Sequence, residues 1–340
     1  MAPWSAGLGF GALLLSFTLG SVGSSWAAPA TGKGVELTKL DDRVRVELNG
    51  SLFTEYVFKG AAKPYCYPII GPSGASMTRD WPMKDTPGED HDHPHHRGFW
   101  FGHGDVNGAD LWTDKGAKTG KVIPIEPIET TSGKESGTIK TRNKWVNAEG
   151  KTLCTDEVTF RFYNPAGVPA RWFDYEITVH ATDGDVLLGD TKEGTFAFRI
   201  AESMRLKRFT PKGEKVIPGD GHIVSSEGVR DGEVWGKRAA WVDYFGPVNG
   251  KTVGVAIFDA PTNLRHPTTW HARDYGLMAA NPFGLHDFEK AAKGAGNYTI
   301  PAGKSLTLRY RIYFHDGDEK QGRVAEQYKA FAQSVAKAGK

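Results

Sequence analysis

Five of the chain's eleven histidines fall between His91 and His103, in the run HDHPHHRGFWFGH. Asp92, Arg97 and Asp105 lie among or just beyond them, and Phe99, Trp100 and Phe101 follow directly. Neutral imidazole beside carboxylate serves metal binding and proton transfer equally well. If the segment is extended, His91, His93 and His95 share one face and His96 takes the other, unless Pro94 breaks the alternation. His93, His95 and His96, joined by the distant His266, are therefore candidate ligands for a divalent ion (zinc, calcium or iron). The competing reading is a solvated loop, but the aromatic and glycine-rich continuation argues for a buried segment. Further on, GHGDVNG places Asp105 and Asn107 among three glycines. These two either contact a ligand approached closely by backbone or cap a tight turn.

A second dense stretch runs from residue 263 to 288, NLRHPTTWHARDYGLMAANPFGLHDF. It carries His266, His271, Arg273, Asp274, Asn281 and His286 beside Trp270, Tyr275, Phe283 and Phe288. Aromatic rings next to Asp, Asn, Arg and His are what a sugar site uses, because rings stack on the apolar face of a sugar while polar groups bond its hydroxyls. Two such stretches imply one shared pocket. In that pocket His103 and His271 are the candidate acid and base, with Glu193 or Asp274 as the carboxylate. Arg97 and Arg273 would hold an acidic or keto group. Trp100, Asp105, Asn107, Lys237, Trp270, Asn281 and His286 complete the expected binding set. Glu193 comes from the turn GDTKEG, and Lys237 from WGKRAAWVDYFG.

The elements that must position these residues read as strands. Val44, Val46 and Leu48 alternate with Arg45 and Glu47, and Asn49-Gly50 then marks a hairpin. Strands are expected over 138–146, 155–162, 171–181, 194–200, 239–246, 252–260 and 305–315, with a hairpin turn between 247 and 250. Residues 61–90, rich in Pro, Gly, Asp and Thr, form a long loop leading into the histidines. Helical spacing occurs only at the C-terminus, where Val324, Tyr328, Phe331, Ala332 and Val335 predict a helix over about residues 320–337. About fifteen strands without alternating helices imply an all-β fold, a large antiparallel sandwich.

Residues 1–30 carry no charged side chain, and an apolar run from Gly9 to Leu19 precedes small residues near Ala27 and Ala30. This predicts a secretory leader and a secreted or periplasmic protein. About 310 residues then remain, read as one β domain from 31 to 340. No other stretch approaches a membrane span. A net charge of +2 without a basic block argues against nucleic acid as a partner. Cys66 and Cys154 form one disulfide or remain as two buried thiols.

DHPHHRGFWFGHGDVNGADLW, GDTKEGTFAFRI, WGKRAAWVDY and RHPTTWHARDYGLMAANPFG together resemble the bacterial secreted "methane oxygenase PmoA" family. The resemblance covers nearly all of the expected mature chain. It implies a supersandwich similar to galactose-mutarotase-like domains, and carbohydrate chemistry by association. Methane oxidation is not expected, because the membrane subunit of that name has several spans and this chain has none beyond its leader. Three functions follow: a carbohydrate-active hydrolase or lyase, a non-catalytic sugar-binding protein, and a metal-dependent oxygenase with two histidines and a carboxylate.

Overall fold

Two eight-stranded antiparallel sheets face each other. The first runs Val35–Lys39, Arg43–Leu48, Ser51–Val57, Tyr65–Ile69, Phe99–His103, Gly194–Arg199, Leu277–Asn281 and Thr269–Ala272. The second runs His222–Ser225, Trp241–Val248, Lys251–Asp259, Ser305–Asp316, Ala170–His180, Thr152–Tyr163, Ser136–Val146 and Lys121–Thr131. The chain is thus an all-β sandwich, as the alternation implies. A computed structural model describes residues 1–4, 34–209 and 216–338. The expected leader falls almost wholly outside these residues. Met1–Thr31 is one unit, of which the described residues 1–4 are exposed; Gly32–Lys340 is the other.

Alternation explains the core. Phe173, Tyr175, Ile177 and Val179 are buried from one sheet, and Phe53, Phe99, Phe196 and Phe198 from the other. Aromatic rings cross the interface: Phe99 lies 5.4 Å from Tyr175, and Phe196 stacks on Tyr310 at 4.3 Å. Each such ring removes roughly 150–250 Å² from water, so the seam contributes much of the hydrophobic stabilisation. On Ser305–Asp316 the alternation gives way to burial on both faces from Tyr310 to His315. The helix Val324–Ala338 is the cause: it covers the outer face of the second sheet, with Phe331 and Val324 packed near Tyr313 and Phe258. Cys66 and Cys154 are both buried free thiols.

The histidine segment differs from the extended arrangement. It turns at Pro94, where the His96 N–H donates to the His93 carbonyl at 2.9 Å, and only Phe99–His103 is strand. Gly98 lets the chain enter that strand. Its φ is +56°, and a Cβ there would sit 2.2 Å from the Cys66 carbonyl oxygen. Gly98→Ala should therefore destabilise the protein by about 1–3 kcal/mol or more, read from denaturant unfolding. An unchanged midpoint would contradict this account of the entry.

Candidate functional site

Register gathers one set of side chains on the outer face of the first sheet. Trp100 pairs with Ala197, Ala197 with Ala279, and Ala279 with His271. Cross-strand partners share a face, so these four form one row. A neighbouring row holds Arg199 and Leu277, and the Arg273 N–H donates to the Leu277 carbonyl at 2.8 Å. Alanines at the centre leave room for rings above the sheet. Four rings use it: Trp100, His96, His93 and Tyr275 stack in order, with centroids 5.0, 4.7 and 4.9 Å apart and planes within 22°, 12° and 8°.

Two fully buried guanidiniums hold this column. Arg79 and Arg199 both donate to the same oxygen of Asp92, Arg199 at 2.8 Å. Arg79 also donates to the carbonyls of Trp81, Asp92 and His93 at 3.1, 3.0 and 3.1 Å. Arg199 reaches His96 Nδ1 at 3.3 Å, so that nitrogen accepts and the ring is neutral. The other Asp92 oxygen accepts from His93 Nδ1 at 2.7 Å. His93 itself takes the left-handed backbone, φ +42°, rare outside glycine. Burial alone would raise the Asp92 pKa, but the His93 hydrogen bond and the two guanidiniums outweigh it and hold the carboxyl well below its usual range. Burial lowers Arg199 to about 10, with Arg79 adding repulsion. Burial also pushes His96 far down, and takes His95 to about 4 with help from Lys63 and His93.

A second device sets Glu193. The loop 189–193 offers three carbonyls to buried side chains. His103 Nε2 donates to Gly189 at 2.9 Å, Asn281 Nδ2 to Thr191 at 2.9 Å, and His271 Nδ1 to Lys192 at 3.0 Å. Carbonyls only accept, so both imidazoles have a fixed tautomer. Burial takes His103 to about 4, and burial with the nearby Arg273 charge takes His271 to about 3. From this clamped loop Glu193 presents a half-exposed carboxyl, 3.8 Å from Lys192 Nζ. Burial raises its pKa, with the Lys192 and His93 charges opposing.

The expected residues sort accordingly. His93, His95, His96, Glu193, His271, Arg273 and Trp100 do come together. His103 does not join His271 as an acid–base pair: it lies three residues after Trp100 on the strand, hence on the opposite face, 5.0 Å from the core ring of Phe283. His103, His271 and Asn281 act as loop clamps. Trp270 is a core side chain whose Nε1 donates to the Ala239 carbonyl, and Trp100 is covered by His96, so neither offers a face to a sugar. Asp105 accepts from the Gly108 N–H, and Asn107 bonds Asp185 and Leu187, so both shape a turn. Asp274 pairs with Lys207, and Arg97 with Asp114 beside the buried Lys63. Lys237 is exposed, and His286 bonds the Ala291 carbonyl on a short helix.

The four expected metal ligands do not converge. His266 bonds Asp259 at 2.7 Å and lies 3.5 Å from the Tyr328 hydroxyl, among other partners. The lone pairs of stacked His93 and His96 lie in nearly parallel planes and cannot point at one ion. Among the described residues no three His, Cys, Asp or Glu side chains form a metal-binding group. Arg79 and Arg199 were invisible as site residues in the sequence, although an arginine inside the buried strand GTFAFR was a usable signal, since such a charge must find a partner.

An all-β sandwich with an imidazole–carboxylate cluster on one sheet face is the class that fold and site define. The chain belongs to DUF6807, a family of unknown function, whose model matches residues 43–329. No curated protein matches it. Among the described residues no helix is long and apolar enough to cross a membrane.

Acid should undo this site. Asp92, with its folded pKa lowered, stabilises the fold above its ordinary pKa and loses that contribution as pH falls through the folded value. His95, His103 and His271 are lowered from 6.5, so their contribution is full above about 6.5 and declines toward the folded values of about 4, 4 and 3. Unfolding free energy should therefore decrease steadily below about pH 6.5. His271→Asn, which can still donate to Lys192, should flatten the fall; an unchanged slope would contradict the assignment. Asp92→Ala should cost about 3–5 kcal/mol at neutral pH by stranding two buried cations, measured by urea denaturation.

Proposed function

We propose that the chain is an exported carbohydrate-active enzyme that cleaves a sugar–oxygen bond by proton transfer, in hydrolysis or elimination, with His93 accepting a proton and Glu193 donating one. The observation carrying this reading is the Asp92–His93 pair, 2.7 Å apart. An ionised carboxylate receiving Nδ1–H leaves Nε2 as the accepting nitrogen, which is how an aspartate orients a general base. The His93 side chain is 39% exposed, so a substrate can reach it. Glu193 supplies the complementary group, because a carboxyl whose pKa is raised by burial keeps its proton nearer neutrality and can donate it to a leaving oxygen.

Carbohydrate as substrate is supported by the partly exposed polar groups of His93, Glu193 and Arg273, which can bond sugar hydroxyls. The sugar-binding alternative loses its expected platforms, since Trp100 and Trp270 are buried. The oxygenase alternative needs two imidazoles and a carboxylate converging on one ion, and the stacked rings do not fit that requirement. Export rests on the apolar first 30 residues.

Oligosaccharide screening by reducing-end and ultraviolet assays tests the reading. His93→Ala and Glu193→Gln should each lower kcat by about a hundred- to ten-thousand-fold on any substrate found. Activity should fall on the alkaline side as Glu193 loses its proton, and Glu193→Gln should remove that limb. Full activity in either variant would overturn the assignment.

A further inference from the structure

The guanidiniums around the ring column divide into two kinds. Arg79 and Arg199 share Asp92, Arg205 bonds Asp90 and Glu202, and Arg97 bonds Asp114. Each is ion-paired with a carboxylate of the chain itself. Arg273 is different: among the described residues its guanidinium has no hydrogen bond or ion pair, only the face of Tyr275 at 5.4 Å. It is half-buried, two residues after His271 and on the same face, and its charge is felt at His271. A guanidinium fixed against a ring keeps its planar fork oriented and its donors free, which suits bidentate capture of a carboxylate.

We infer that the site takes an anionic saccharide, a uronate-containing oligosaccharide, whose carboxylate is bound by Arg273 beside His93 and Glu193. This rests on the carbohydrate reading above and narrows it. A carboxylate held by a cation makes the proton on the adjacent ring carbon more acidic, which selects elimination over hydrolysis. That proton passes to His93 Nε2, and its bonding pair becomes the double bond to the next ring carbon. The carbon–oxygen bond on that next carbon breaks, and the departing oxygen takes its proton from Glu193. Atoms and electrons balance without any co-reactant, and the product carries a conjugated, ultraviolet-absorbing double bond. Tyr275 holds both the Arg273 guanidinium and the His93 ring, and so sets the spacing between anion and base.

The test is calorimetric titration of the full chain with oligogalacturonate, oligoglucuronate and oligomannuronate, each against its neutral methyl ester. One acid form should bind at least about tenfold more tightly than its ester, with affinity falling as salt rises. Arg273→Gln should bring the acid form down to the ester's affinity while leaving the ester unchanged, and Arg273→Lys should fall between them, with melting temperatures confirming folded protein. Equal binding of acid and ester, or equal loss of both in Arg273→Gln, would overturn the inference and leave the carbohydrate reading standing. Turnover of a neutral oligosaccharide independent of Arg273 would do the same. Failure of every saccharide, charged or neutral, to bind or react would overturn both.

Discussion

The candidate site depends on one carboxylate. Asp92 lies between two fully buried arginines and a histidine, and each contact has a separate consequence. Arg79 ties the loop by its backbone carbonyls. Arg199 joins the loop to the strand Gly194–Arg199 and fixes His96. His93 receives its orientation. Burying two guanidiniums is unfavourable unless they are paired and hydrogen-bonded, so the loop cannot lift away without stranding them. A segment that composition alone would make a mobile polar loop is thereby held against the sheet, and its left-handed residue at His93 is kept in place.

The second constraint comes from both faces of the sheet. His103 faces the core and His271 the outer surface, yet both hold the loop 189–193 by its carbonyls. Burial keeps both imidazoles neutral, so each is a donor of fixed tautomer and a poor base. Their chemistry is positional. Glu193 is the group they present, and its raised pKa follows from being carried into a partly closed setting. The two proton-transfer candidates thus come from different loops, each held by buried side-chain contacts as well as by backbone hydrogen bonds.

Much of this was legible in the sequence. Alternation in 171–181 and 305–315 placed the inward rows, and Asn49-Gly50 marked its hairpin, because period-two burial leaves a direct imprint. The histidine run and the 263–288 stretch were marked as partners, and His93 does meet Tyr275. Side-chain direction within them was not legible. Trp270 and Trp100 carry the same residue type, but one enters the core and the other underlies His96, a difference set by register. The buried pairing of Arg199 with Asp92 was hidden as well, since it joins residues 107 positions apart. The expected metal ligands are arranged differently for a related reason: the turn at Pro94 stacks His93 on His96 and leaves His95 edge-on to both.

Asp92 accepts from His93 Nδ1 and so leaves Nε2 as the accepting nitrogen. Nitrogen-15 NMR of labelled protein, with His93 assigned by substitution, measures this without any substrate. The neutral ring should be protonated at Nδ1 and bare at Nε2, and Asp92→Asn should abolish that preference. A His93 protonated at Nε2, or a spectrum indifferent to Asp92→Asn, would contradict it.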